Sequence, residues 1–476
     1  TGVAPNADLF DVKVLDETGT GELADVLAGI DWTLRHASEY NIRVLNLSLA
    51  SDSTESYLTD PLCRAVRSAV AAGITVVVAA GNYGKDANGA ERYGTISAPG
   101  NEPSVITVGA ANTHDTTRRA DDSVNFFSSR GPTRSGFVDA AGVRHVDNLL
   151  KPDLVAPGNR IVGVLASDRS GSNDRWSELP RSHPELAAPY GGSSQPRLQQ
   201  LMNLSGTSIS APAVSGTVAL MLQANPGLTP PLIKAILQYS AQPIPGANLL
   251  QQGAGLLNVD GAVRLAGVLR SDLASAIRSG SIAAGAPLLA PGKTLPAPMS
   301  VIDGVTVPWS RIVVAGGSHV FSGSTLFSRY QPFYDPQLVW VRGSAQRLQL
   351  NFAPAARGDA QPWIRSITAA PAAAQRFVTP GVVMITPLAG DSSWHGRTGG
   401  FIPTATLSGW IASGSGIVLS EGIVLSEGIV LSEGIVLSEG IVLSEGVILS
   451  EGIVLSEGIV LSEGIVLSEM LPVGER

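Results

Sequence analysis

The sequence predicts an α/β protein: a parallel sheet with helices on both faces, a small β-rich accessory region and a C-terminal hexapeptide repeat. Two observations carry the first part. Apolar β-type runs alternate with helical patterns through the first 110 residues, as they do when helices cover the faces of a parallel sheet. The run at 74–80 is apolar throughout, which fits a strand buried on both sides. The third observation lies at the other end, where Gly-Ile-Val-Leu-Ser-Glu occurs nine times from Gly416 to Glu469, once with Val447 and Ile448 exchanged.

Residues 8–15 read as the first strand. Residues 21–37 place Leu23, Val26, Leu27, Ile30 and Leu34 three and four apart, which puts them on one helix face. Strand 43–49, helix 60–72 with Leu62, Val66, Ala69 and Val70 inward, and strand 74–80 follow. Such a series makes two right-handed crossovers. Residues 104–110 supply another strand, and Gly131, Pro132, Pro152 and Pro157 break 125–163 into short extended pieces. Three helices are expected to begin near Ser208, Pro230 and Val259, the last ending near Val268.

This text defines a domain over 1–268. Residues 269–413 turn to Ala, Pro, Gly and Ser with scattered β-type runs such as 311–314 and 338–341, and are expected to form the accessory region. The repeat tract occupies 414–469 and a tail 470–476. Because six is even, an extended tract keeps Ile, Leu and Glu on one side and Gly, Val and Ser on the other in every copy. A β-solenoid, a β-meander turning at Glu-Gly and an aggregation-prone tract guarded by its glutamates all fit that pattern.

Composition narrows the function. With 44% hydrophobic and 15% charged residues, the chain is not a highly charged disordered one. The net charge of −8 argues against a nucleic-acid surface, which needs clustered Lys and Arg. The nine repeat glutamates supply that charge, and the remainder is near neutral. A single cysteine, Cys63, leaves no intramolecular disulfide and no Cys-cluster metal site. No apolar run reaches the roughly 18 residues that span a bilayer. The chain opens at Thr1 with neither Met nor a signal peptide, which reads as a processed or partial chain.

The chemistry concentrates in Leu204-Ser205-Gly206-Thr207-Ser208-Ile209-Ser210, followed by Ala211-Pro212 and an apolar helix. A serine reached through a glycine turn at a helix start has an exposed hydroxyl and the positive helix end behind it, which suits a nucleophile. Pro212 is expected to sit where the helix start leaves backbone N–H groups unpaired. Upstream, the apolar strand ends in Gly81-Asn82. A side-chain amide at the carboxyl end of a parallel strand lies where such sheets bind ligands and can donate to a developing oxyanion. Taken singly, Asn82 and Ser208 also fit a strand-end turn and a helix cap.

These segments, in this order, resemble the subtilisin-like serine proteases. The matching blocks are Gly2-Val3-Ala4-Pro5, Val12-Lys13-Val14-Leu15, Val44-Leu45-Asn46-Leu47-Ser48-Leu49, Ala79-Ala80-Gly81-Asn82, Lys151-Pro152-Asp153-Leu154-Val155-Ala156-Pro157-Gly158, Gly206-Thr207-Ser208 and Gly255-Leu256-Leu257-Asn258-Val259. The resemblance covers residues 1–268. It implies a secreted or cell-surface serine endopeptidase acting on protein or peptide substrates, with no cofactor required for its chemistry. In it Ser208 is the nucleophile and Asn82 the side-chain oxyanion donor, joined by the backbone N–H of Ser208. Substrate is gripped between Gly19-Thr20-Gly21 and Ser48-Leu49-Ala50. The first specificity pocket is walled by Ala79, Ala80 and Gly81, with Leu49 and Ala50 opposite; small apolar walls favour an apolar side chain. Residues 166–203 read as a lid insertion beside the site.

The resemblance also implies a catalytic Asp and His ahead of Gly2, since the family order is Asp, His, Ser. None of His36, His114, His145, His183, His319 and His395 sits in a His-Gly-Thr-His pattern. The expectation is therefore a chain with one triad member and little activity alone. A reading from another class stays open: a non-catalytic protease-like relic or binding module that self-associates through the repeats. Gly292-Lys293-Thr294 lacks the glycine five positions earlier that a phosphate loop needs, Pro287 standing there. Neither Gly-x-Ser-x-Gly nor His-Glu-x-x-His occurs. Asp121 and Asp122 could hold a structural calcium, though a solvated turn explains them more simply.

Overall fold

The computed structural model describes residues 2–16, 18–165, 182–187, 201–317, 319–341, 344–353, 363–371, 383–384 and 403–413, with Leu179 and short strands between 418 and 469. Helix α1 (Leu23–His36), strand β1 (Val44–Leu47), helix α2 (Pro61–Ala71), strand β2 (Thr75–Ala79) and strand β3 (Ile106–Asn112) follow in the expected order. Strand β4 (Leu154–Pro157) and helices α3 (Thr207–Ala224), α4 (Pro230–Ser240) and α5 (Val259–Ala266) complete the framework. Helix α2 starts where the sequence stops it cheaply. Asp60 accepts the Cys63 N–H at 2.8 Å and Pro61 occupies the first turn, where its missing donor is no loss.

The sheet runs β1-β2-β3-β4, all parallel, with Val44 opposite Thr75, Val77 opposite Ile106 and Val108 opposite Leu154. A short strand, Ser123–Val124, pairs antiparallel with the end of β3. Strand periodicity divides β2 between two cores. Val76 and Val78 face Val26, Ile30, Leu62, Val66 and Val70 of α1 and α2, whereas Val77 joins Ile106, Val108 and Leu154 beneath α3 and α4. Helix α3 crosses that second face, and its N-terminus emerges at the carboxyl edge of the strands.

One expectation is corrected. Residues 8–15 form no strand: the segment lies against α1, where Val12 and Val14 approach Gly29, while Leu9 is 91% exposed. A strand needs a ladder, and among the described residues β1 pairs only with β2. Described residues after 268 pack into the same core. Trp309, Phe321, Phe327 and Tyr334 are buried in the same core cluster as Leu232, Ile236 and Leu265. Backbone joins the two parts as well, with Ser310 N–H donating to Ala241 at 2.7 Å and Leu150 N–H to Gly317 at 2.7 Å. The described part of the accessory region thus finishes the core of the first.

One charged cluster lies inside. The Asp153 carboxylate takes Lys151 Nζ at 2.7 Å on one oxygen and Lys234 Nζ at 2.7 Å on the other. It also accepts the Thr107 N–H at 2.8 Å and Gln238 Nε2 at 3.1 Å, and Gln238 in turn accepts the Val314 N–H at 3.0 Å. Burial, opposed by the attraction of Asp153 and reinforced by the repulsion of Lys234, brings the Lys151 amine down from its ordinary value to about 7. Cys63 is likewise buried, its Sγ donating to Asn101 at 3.0 Å. Burial raises that thiol's pKa, so it is no nucleophile.

Candidate active site

Ser208 is the second residue of α3, behind Gly206 at the cap position. Its backbone N–H is one of the four that a helix start leaves unpaired, so it is available to a ligand together with the positive end of the helix dipole. The expectation for Pro212 is corrected here. It stands in the second turn, four residues after Ser208, where its missing N–H removes the intrahelical bond to the Ser208 carbonyl. That carbonyl instead accepts the Ser48 hydroxyl at 2.7 Å. The proline thus frees an acceptor, and the residue that fills it comes from the loop after β1.

Asn82 follows β2 and is exposed. Its Oδ1 accepts the Thr207 N–H at 3.0 Å and the Thr207 hydroxyl at 3.1 Å. That hydroxyl also accepts the Gly81 N–H at 3.1 Å, and Thr207 is fully buried. With the carbonyl end of the amide held by two donors, Nδ2 is turned toward Gly206 and the mouth of the cleft; a Cβ on Gly206 would lie 3.5 Å from it. Asn82 Nδ2 and the Ser208 N–H thus lie on one side of Gly206, 3.5 and 3.7 Å from where a Cβ on that glycine would sit. Thr207 is the residue whose part sequence reasoning missed. Its place between Gly206 and Ser208 gave the signal, because a buried hydroxyl adjoining a nucleophile needs a partner.

Below, Ser210 Oγ donates to Ala156 of β4 at 3.0 Å and is fully buried. A side chain on Gly158 would strike that hydroxyl and Ala110, so the turn after β4 admits only glycine if α3 is to sit this close.

The remaining expected residues are spread more widely. Ala79, Ala80 and Gly81 are buried at the end of β2, and Ser48, Leu49 and Ala50 form the loop after β1. Leu49 packs against the core cluster of Val26 and Leu62. Gly19, Thr20 and Gly21 sit in an exposed turn in which Asp16 accepts the Thr18 N–H at 2.8 Å and the Thr20 N–H at 3.2 Å; no strand edge forms there. Residues 166–178, 188–200 and His395 fall outside the described residues, as does the side chain of His319.

Among the described residues Ser208 Oγ reaches only the Ser48 carbonyl, at 3.4 Å. No described histidine bonds to it. His36 bonds the Trp32 carbonyl at 2.8 Å and stacks on that indole, and His114 lies between Asn112 and Ser123. His145 meets Asp139 at 2.7 Å in an exposed hairpin, and that bond lowers the Asp139 pKa. His183 meets Glu185 at 3.0 Å. Asp122 is taken by Arg119 at 2.9 Å and Asp121 by Thr116. Among the described residues no cluster of three or more His, Cys, Asp or Glu forms.

The model of the subtilase family, peptidase S8, matches residues 1–262. Serine protease AprX of Bacillus subtilis (strain 168) is 36% identical over 267 residues, covering 55% of this chain and 52% of that protein. The alkaline protease of Alkalihalobacillus alcalophilus is 32% identical over 263 residues, covering 55% and 50%. Subtilisin Savinase of Lederbergia lenta is 31% identical over 263 residues, covering 55% of this chain and 70% of that one. Among solved structures, a cold-adapted subtilisin-like serine proteinase aligns with a TM-score of 0.34 at 26% identity, over 54% of this chain and 67% of that one. The chain spans about half the length of the first two of these relatives.

Proposed function

The chain belongs to the subtilase family of serine peptidases, and on that premise we propose that it carries the nucleophile and oxyanion half of an endopeptidase site. Ser208 attacks the scissile carbonyl, and the oxyanion is received by Asn82 Nδ2 and the Ser208 N–H. Among the described residues no histidine bonds to Ser208 Oγ, so the base that would activate it is not among them. One observation supports the reading above the others: Thr207 pins Asn82 Oδ1 so that an exposed amide donor borders the nucleophile at a helix start. Neither a strand-end turn nor a helix cap requires that bond. Substrates are proteins or peptides, and a secreted or cell-surface setting suits such an enzyme. No helix among the described residues is long and apolar enough to cross a membrane.

A fluorophosphonate probe tests the nucleophile. Serine without a base is a weak nucleophile at neutral pH, so residues 1–476 alone are expected to label slowly. The adduct that does form, mapped by mass spectrometry, is expected on Ser208. An adduct mapped to another serine would sink the assignment.

For the repeat tract we propose a solenoid with three hexapeptides per turn. Backbone pairing supports it: Val430 stands opposite Ile448, Ile448 opposite Val466, Val436 opposite Val454 and Val442 opposite Val460, all parallel and each three copies apart. The register brings Glu433, Glu451 and Glu469 into one column, where like charges repel. Stacking should therefore raise the carboxyl pKa above its reference of about 4.3, and assembly should strengthen as pH falls. Circular dichroism and light scattering of residues 414–469 from pH 8 to 3 are expected to show β content and association rising together. A tract that stays monomeric and disordered throughout would leave a flexible acidic tail.

A further inference from the structure

Ser208 and Asn82 lie at the carboxyl edge of the sheet, and a cavity of about 50 Å³ opens at the amino edge. Its walls come from the end of α2 (Val70), the turn ahead of β3 (Glu102 and Ser104), α4 (Lys234 and Ala235) and the chain past 312, which supplies Val313, Phe333 and Val339. Strand β3 is seven residues long, about 20 Å at the rise of a strand, so the cavity is no part of the cleft beside Ser208. Val313, Phe333 and Val339 also lie beyond residues 1–262, the stretch that the subtilase family model matches. The cavity belongs to the seam between the two parts of this chain.

The polar side chains in its wall are already engaged. An ammonium has three N–H donors, and Lys234 spends them on the Pro103 carbonyl at 2.8 Å, the Val105 carbonyl at 2.9 Å and Asp153 at 2.7 Å. Glu102 accepts Arg67 Nε at 3.1 Å and Nη2 at 2.6 Å on one oxygen, and the Ser104 N–H at 3.0 Å and hydroxyl at 2.7 Å on the other. Gln238 donates to Asp153 at 3.1 Å and accepts the Val314 N–H at 3.0 Å. An anion or an alcohol entering here would lose its water and find these partners taken, which is costly. A hydrocarbon has no such loss. Val70, Ala235, Val313, Phe333 and Val339 are all buried around the space, while Ser104, Pro231, Gly316 and Pro336 are half-buried and mark its mouth. An apolar cavity of about 150 Å³ stays dry and admits benzene or xenon, so this smaller one has room for a group of about three carbons.

We propose that this seam cavity is a binding site for a small neutral hydrocarbon group, held between α4 and the residues past 312. Because both parts of the chain line it, an occupant stabilises their packing on one another. The site stands apart from the peptidase reading of Ser208 and Asn82.

The test uses the full chain with carbon-13-labelled methyl groups and compares cyclopropane with acetamide, a polar molecule of similar size. Cyclopropane is expected to shift the methyl signals of Val70, Val313 and Val339 saturably and to leave those of the exposed Val162 and Val164 in place, whereas acetamide shifts neither set. Ala235→Leu fills the cavity and is expected to lose the cyclopropane shift; Ala315→Leu, from the opposite wall, gives the same reading should the first variant fail to fold. No saturable shift at Val70, Val313 and Val339 in the wild type, or a shift that survives in a folded filled variant, would overturn the site. Acetamide acting as strongly as cyclopropane would overturn the apolar assignment.

Discussion

Replacing Asn82 by leucine in the catalytically complete protein is expected to lower kcat for peptide hydrolysis by about 10²–10³, with KM little changed. That magnitude comes from subtilisin itself and is carried over rather than derived. The KM-against-kcat split follows from where the donor points. In the proposed site Nδ2 borders the space an oxyanion would enter, so it would strengthen its bond only as negative charge develops. Thr207→Val keeps the shape of its neighbour but removes the hydroxyl that holds Oδ1 at 3.1 Å. It is expected to lose part of the same kcat with the same constant KM, because Asn82 remains but is less well aimed. Steady-state kinetics on a fluorogenic peptide check both variants. An Asn82→Leu enzyme with normal kcat would remove the amide from the mechanism.

The buried cluster around Asp153 gives the largest expected effect on stability. Two cations share one carboxylate, so the consequence depends on which partner is removed. Asp153→Ala leaves Lys151 and Lys234 buried without a counter-charge and is expected to cost about 3–5 kcal/mol. Lys151→Met removes the surplus cation, leaves the Lys234–Asp153 pair intact, and is expected to be near neutral or stabilising at pH 7. The pH dependence follows from the same asymmetry. The Lys151 amine titrates at about 7 when folded and near 10.5 as its ordinary value. Between those values the unfolded chain holds a proton that the folded chain lacks, so this group makes stability rise with pH over that window. In the other direction, Asp153 is held below its ordinary value, with burial opposing both lysines, so its contribution is lost as pH falls below the ordinary carboxylate range. Urea denaturation at pH 7 and pH 9 is expected to show a higher midpoint at pH 9 for the wild type and a smaller difference for Lys151→Met. A wild-type midpoint that falls over that interval would contradict the cluster's role.

Much of the site was legible because its parts are local. Gly206-Thr207-Ser208 and Gly81-Asn82 are each a few residues long, and the elements that carry them follow simple periods: helices near Pro61, Pro230 and Val259 begin at marked positions. What the sequence concealed depends on distant partners. Residues 8–15 alternate like a strand, yet a strand exists only by pairing. Trp309 and Phe321 lie in Ala/Pro/Gly-rich text without a period, and nothing local shows that they fill the core beneath α4. Pro212 illustrates the same limit at one residue, since its effect on the Ser208 carbonyl is visible only when Ser48 is seen to satisfy it.

The central proposal is that Ser208 and Asn82 are the nucleophile and the oxyanion donor of a catalytic site. Hydrolysis of casein by residues 1–476, compared with the protein that also carries whatever its reading frame encodes ahead of Thr1, tests it most directly. The account expects the longer protein to be faster by at least about 10³, a scale again taken from serine proteases, and to lose that gain in Ser208→Ala. Equal rates for the two proteins, or a longer protein whose activity survives Ser208→Ala, would contradict it.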